Sequence, residues 1–196
     1  MAATWLERTM QRGRRPDYFP HQLWFIMDNP VRRLLVNPRQ VVDRLELSGS
    51  EDALEVGPGP GLFSVELALR LTSGRLEVLE LQPEMLARAR RKLDRASCSN
   101  VGFHLGDAGG RLPFPDSCFD VAFLAAVLGE VTDKPACLRS LARVLRPGGL
   151  LVVQEFFPDP DRMRVPEIRG VAEPAGFRFI GAQGRPWNYT VCFRPR

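Results

Sequence analysis

The chain is poor in the residues that most often announce a chemistry: its 196 residues include two histidines, two tyrosines and four cysteines. Cys98, Cys118, Cys137 and Cys192 form no C-x-x-C pair and no cluster with His21 or His104. That excludes the familiar zinc spacings and a disulfide framework, so no metal site is expected and the thiols fit a cytoplasmic protein. Apolar runs such as Leu23 to Met27 fall far short of the ~20 residues that cross a bilayer, which leaves room only for a peripheral membrane contact. Met1 to Arg15 carries arginines but no apolar core with a small-residue cleavage site, so no secretory signal is expected. Internal repeats and low-complexity tracts are missing as well. The basic excess is small, a formal +4 and a pI near 9.2, with arginine scattered along the chain, so a nucleic-acid partner is not expected.

What is present is an ordinary globular composition, 44% hydrophobic and 26% charged, in a length that suits one α/β domain with a small addition. The chain is organised around Leu54-Glu55-Val56-Gly57-Pro58-Gly59-Pro60-Gly61-Leu62-Phe63. A buried strand ends there and a helix over Leu62 to Leu71 begins, with Leu62, Val65, Ala68 and Leu69 expected on its inner side. Three alternate glycines permit positive φ and leave no Cβ between a ligand and the backbone, and the new helix offers free N–H groups. A tight structural turn would use the same residues.

Ahead of this loop, residues 1–17 read as a basic arm. Tyr18 to Leu47 reads as short helices divided by Asn29-Pro30 and Asn37-Pro38, each pair ending one helix and opening the next. A division at 1–47 for arm and helical cap and 48–196 for the ligand-binding domain follows. Beyond the loop come strands over Arg75 to Leu81, Val101 to Leu105, Phe119 to Ala125 and Leu150 to Phe156. Helices from Pro83 to about Ala96, Lys134 to Leu145 and Val165 to Ala175 separate or follow them. Arg146-Pro147-Gly148-Gly149 should end the second of these helices. Two final strands, near Phe177 to Ala182 and Asn188 to Arg194, complete the chain, and the alternation of Tyr189, Val191 and Phe193 with polar neighbours predicts an exposed edge for the last. The alternation of strand and helix predicts an open, mostly parallel sheet covered on both faces.

In such a sheet ligands bind at the carboxyl ends of the strands, where the strand order reverses. That gathers Gly57 to Gly61, Glu80, Asp107-Ala108 and the end of the fourth strand into one crevice. An acidic residue about 20 positions after a glycine loop can accept both hydroxyls of a ribose, each charge-assisted bond contributing roughly 1.5 to 3 kcal/mol. A dinucleotide site would want a third glycine where Leu62 stands.

The pattern E-x-G-x-G-x-G, led by Glu55, closely resembles the first motif of class I S-adenosylmethionine-dependent methyltransferases. Glu80 with Gln82-Pro83-Glu84-Met85-Leu86 resembles their second motif. Gly106-Asp107-Ala108 with the following Leu112 to Asp120, and Leu141 to Leu150, resemble later ones. The likeness covers roughly residues 50 to 156, in the family's order, and is strongest to small-molecule members with a type 11-like core. It implies a Rossmann-like fold of seven strands with an N-terminal helical cap, and S-adenosyl-L-methionine as cofactor. It further implies that Glu55, Gly57, Pro58, Gly59 and Gly61 form the methionine-side loop and that Glu80 binds the ribose. Asp107 and Ala108 would meet the adenine, with Leu81 and Val127 flanking it.

Candidate bases for the acceptor's proton are Glu130, Glu155 and His21, with Tyr18 also within the cap. Each has a plainer role open to it: Glu130 as a turn cap, Glu155 as the partner of an arginine, His21 as a packing residue. Tyr18, Trp24, Trp187 and Tyr189 are candidates to touch a small, apolar or aromatic acceptor, quinone-like or lipid-like. Ala125-Ala126-Val127-Leu128 stands where methyltransferases of nucleic-acid amino groups carry an Asp/Asn-Pro-Pro-aromatic motif, which argues against those substrates. An RNA or protein methyltransferase guided by the arginine-rich arm, and a non-catalytic S-adenosylmethionine-binding protein, stay open as alternatives.

Overall fold

The computed structural model describes residues 36–196. The cap residues Tyr18, His21 and Trp24, with the basic arm, lie outside the described residues. Helix α1 (Pro38–Asp43) opens as the Asn-Pro step predicts: Pro38 takes the first helical position and the Asn37 side chain accepts from the Gln40 N–H. The chain then runs β1 (Asp52–Val56), α2 (Ser64–Arg70), β2 (Arg75–Glu80), α3 (Pro83–Arg95), β3 (Val101–Leu105) and β4 (Phe119–Ala125). It closes with α4 (Lys134–Val144), β5 (Leu145–Phe156), α5 (Val165–Ala172), β6 (Phe177–Arg185) and β7 (Asn188–Pro195).

These strands form one sheet in the order β3-β2-β1-β4-β5-β7-β6. The first five are parallel, and β7 pairs antiparallel with both β5 and β6. Strands β1, β2 and β4 are buried along most of their length because both faces are covered, as in parallel sheets generally, and this burial includes the carboxylates Glu55, Glu77 and Glu80. One core cluster joins Val41 and Val42 of α1, Leu67 and Ala68 of α2 and Leu93 of α3 to Val78 and Phe123 of the sheet. The other joins Leu138 and Leu141 of α4 and Ile168 of α5 to Leu54, Leu124 and Val153. Burying one such side chain fully contributes about 1.5 to 3 kcal/mol, so the two clusters hold the sheet between its helical layers.

Three expectations are corrected. The last strand is not at the edge: β7 lies between β5 and β6, its Tyr189, Thr190 and Val191 are buried, and β6 carries the exposed margin. Polar alternation misleads there because Thr190 is satisfied internally, donating to Gln154 Oε1 at 2.6 Å. Leu69 points outward at 55% exposed, while Leu67 takes the inner position. Residues 146–149 interrupt β5 and do not merely precede it: Phe119 pairs with Leu145 and Val121 with Leu150, so the four intervening residues bulge out of the ladder.

The order β3-β2-β1 on one side and β4-β5 on the other reverses between β1 and β4. A crevice therefore opens above their carboxyl ends, since neighbouring connections leave in opposite directions.

Candidate active site

A cleft that opens to solvent occupies that crevice, the kind of concave place where small-molecule sites are found. Gly57 and Gly59 from the loop after β1, Glu80 and Leu81 after β2, Asp107 and Ala108 after β3, and Val127 and Glu130 after β4 all line it. The sequence missed several other lining residues. Gln82 and Met85 of the α3 entry, Ala126 and Val131 belong to it too. The helical spacing that marks Met85 as core also hides its place at the cleft floor.

The loop takes its shape from backbone conformations that favour glycine. Gly57 has φ +66°, Gly59 +54° and Gly61 +81°. Their lack of a side chain serves different ends. A Cβ on Gly57 would stand 2.5 Å from Val127 Cγ2, so this glycine lets the β4 turn close down on the loop. A Cβ on Gly61 would stand 3.1 Å from Ala89 Cα, so Gly61 seats α3 and does not line the cleft. Pro58 is buried, and its carbonyl accepts from the Gly61 N–H at 2.9 Å.

Glu80 joins the loop to the second strand. It is 6% exposed, and its two carboxylate oxygens accept from the Gly59 N–H at 3.0 Å and the Gln82 N–H at 2.9 Å. A carboxylate has about four acceptor positions, so two remain for a ligand's hydroxyls. Burial pushes the Glu80 pKa up, and its backbone donors pull the other way. Glu55 is 1% exposed behind the loop, with Oε2 lacking a hydrogen-bond partner; burial first, then the charge of Glu80, push its pKa up to about 7. Asp107 is exposed and folds its own turn by accepting from the Gly109 N–H at 2.7 Å, and Ala108 is buried beside it.

Beyond β4 the chain turns through Ala126 with φ +55°, a left-handed conformation that costs a non-glycine residue of order 1 kcal/mol or more. Its N–H donates to the Gln154 carbonyl at 2.9 Å, which anchors the turn to β5. This turn brings Val127 over Gly57 and Glu130 into the cleft. Glu155 stands apart: it is 1% exposed at the end of β5, outside the cleft lining, and neither carboxyl oxygen has a hydrogen-bond partner. Tyr189 lies opposite it in register and donates its hydroxyl to the Met163 carbonyl. Trp187 is 52% exposed at the β6–β7 turn. Among the described residues no cluster of His, Cys, Asp and Glu could hold a metal ion, and no helix is long and apolar enough to cross a membrane.

A glycine loop after β1, a buried acid after β2 and a second acid after β3, set at the switch point of a seven-stranded sheet, define a class I S-adenosylmethionine-dependent methyltransferase. The chain belongs to the family described as Methyltransferase domain, whose model matches residues 54–153, just over half its length. It is 38% identical to the ubiquinone/menaquinone biosynthesis C-methyltransferase UbiE of Cellvibrio japonicus over 117 residues, 57% of this chain and 47% of that one. It is 42% identical to the same enzyme of Azotobacter vinelandii over 118 residues, 57% and 46%. The chain thus spans about half the length of the curated relatives it matches. A crystal structure of a SAM dependent methyltransferase from Aquifex aeolicus superposes with a TM-score of 0.83 at 23% identity, covering 91% of this chain and all of that one, which is a likeness of fold.

The residues fit the cofactor of this class, S-adenosylmethionine. The cleft walls Leu79, Leu81, Met85 and Val127 are apolar enough for a base, Glu80 keeps free acceptor positions, and Glu80, Asp107 and Glu130 supply negative charge for a cationic donor.

Proposed function

We propose that the protein transfers a methyl group from S-adenosylmethionine to a small phenolic acceptor of the quinol type. The observation that supports this most directly is Glu80, a buried carboxylate tied to the Gly59 N–H with acceptor positions to spare at the switch-point cleft. In this reading Glu80 accepts from the ribose hydroxyls and Gly57 and Gly59 admit the methionine portion. Asp107 and Ala108 meet the adenine edge, and Leu81 and Val127 flank the ring. When bound, the cofactor supplies an already activated sulfonium methyl. The protein's own work is to hold the acceptor in line with it, exclude water and manage one proton; positioning of this kind supplies up to roughly 7 to 11 kcal/mol.

The choice of a quinol rests on the similarity to enzymes named for ubiquinone and menaquinone biosynthesis and on the apolar walls of the cleft. The test is transfer of labelled methyl from S-adenosylmethionine to 1,4-hydroquinones and 1,4-naphthohydroquinones with side chains of graded length. Turnover that rises with tail length is expected; turnover of nucleic-acid or protein fractions in place of the quinols would overturn the assignment.

A further inference from the structure

Glu155 is the one carboxyl among the described residues with both oxygens buried and without a hydrogen-bond partner. Native proteins leave few buried polar atoms unpaired, and such an orphan calls for a ligand, a water or a catalytic task. Its position favours a ligand. Ala125 pairs with Gln154, so Glu155 stands level with Ala126 of the cleft wall, one strand spacing of about 4.8 Å away. On its other flank, in register, is Tyr189, whose ring carries the Arg162 guanidinium 5.5 Å above it.

Residues 157–163 lie over this end of β5. Their seat is the turn bearing Glu130: a Cβ on Gly129 would stand 2.0 Å from the Asp161 carbonyl oxygen, so only glycine lets strap and turn meet. The charged and titratable groups around Glu155 are Asp159 and Arg162 on the strap, Glu130 on the β4 turn and Tyr189 on β7. Burial first, then the charges of Asp159 and Glu130, push its pKa up to about 8, with the nearby Met163 backbone N–H and then Arg162 opposing.

We propose that a subsite for the acceptor's hydroxyl lies between Glu130, Glu155 and Tyr189 beneath the 157–163 strap, and that Glu155 accepts the hydroxyl proton during transfer. The proposal rests on the quinol reading above. The acceptor's O–H bond breaks and an O–H bond forms on Glu155; the electron pair left on the acceptor oxygen feeds into the ring, whose adjacent carbon takes up the methyl as the methyl's bond to the sulfonium sulfur breaks and leaves its electron pair on a neutral thioether. That carbon then loses its own proton to water, which restores the aromatic ring, and Glu155 returns its proton to the oxygen. One proton is released in all, and no oxidant or reductant is consumed. A substrate hydroxyl reaching this carboxyl, one strand from the cleft wall, would supply the partner it lacks and explains why the orphan is tolerated.

The experiment uses the full chain and 1,4-naphthohydroquinone as probe. For the wild type, kcat is expected to rise with pH along a limb near 8. In Glu155→Gln it is expected to fall about 10² to 10⁴-fold and to lose that limb, with the Kd for S-adenosylmethionine unchanged and Glu155→Asp partly active. A second reading does not depend on turnover: the infrared carboxyl band that Glu155→Gln removes should shift when the hydroquinone is added to wild type. A variant within threefold of wild type with the limb intact, or a band indifferent to the probe, overturns the proposal. A shifted band without methyl transfer would support the subsite and place the failure in the transfer reading.

Discussion

At the scale of single residues, Glu80 and Gly57 carry the cleft. Glu80→Ala removes the acceptor of the Gly59 N–H together with the proposed ribose contacts. Two charge-assisted bonds at roughly 1.5 to 3 kcal/mol each predict a loss of S-adenosylmethionine affinity of about 10²-fold or more, read by calorimetry. Circular dichroism should show the fold intact; unchanged affinity would contradict the assignment. Gly57→Ala is expected to destabilise by about 1 to 3 kcal/mol in urea titrations, because it adds a Cβ against Val127 at a φ of +66°. The second change Val127→Ala should recover the steric part and leave the backbone part, so the double variant falls between wild type and Gly57→Ala; strict additivity would show that the two side chains do not meet.

At the scale of elements, the pairing of β5 with β7 depends on a buried polar network that ties the N-terminal segment to the sheet. Gln154 is fully buried. Its Oε1 accepts from Thr190, its Nε2 donates to Asn188 Oδ1 at 2.6 Å, and Asn188 Nδ2 donates in turn to the Val36 carbonyl at 3.2 Å. Thr190→Val keeps the volume and strips the hydroxyl, leaving Gln154 Oε1 short of a donor. A cost of about 1 to 3 kcal/mol in urea unfolding is expected; a neutral result would mean that the network contributes nothing to the β5–β7 pairing. Ala126 and its hydrogen bond to Gln154 put the cleft-lining turn on the same strand, so this variant should also weaken acceptor turnover more than cofactor binding.

At the scale of the whole molecule, the site concentrates carboxyls that burial holds in the neutral form. Glu55 and Glu155 start from 4.5 and are raised to about 7 and about 8. The folded chain therefore keeps protons that the unfolded chain releases, so these groups favour the fold fully below about pH 4.5 and lose that advantage as pH rises toward 8. Thermal melts at pH 5 and pH 8 should show it: Glu155→Gln is expected to differ little from wild type at pH 5 and to gain about 4 °C or more at pH 8. An equal shift at both values would show that Glu155 is ionised throughout.

The fold and much of the cleft lining were legible in the sequence because they rest on local chemistry. Alternate glycines that take positive φ, an acid that closes a buried strand, an Asn-Pro step that opens a helix: each is fixed by backbone sterics or strand periodicity within a few residues. The order of the last strands was not, since whether Tyr189 and Thr190 face solvent depends on β6 and Gln154, which are neighbours in space. Nor could the chain show that Gly61 serves α3 while Gly57 serves Val127, that Ala126 is bent left-handed, or that Glu155 is left without a partner. Those follow from which surfaces come to face each other once two helical layers close on the sheet, and only the tertiary structure decides them.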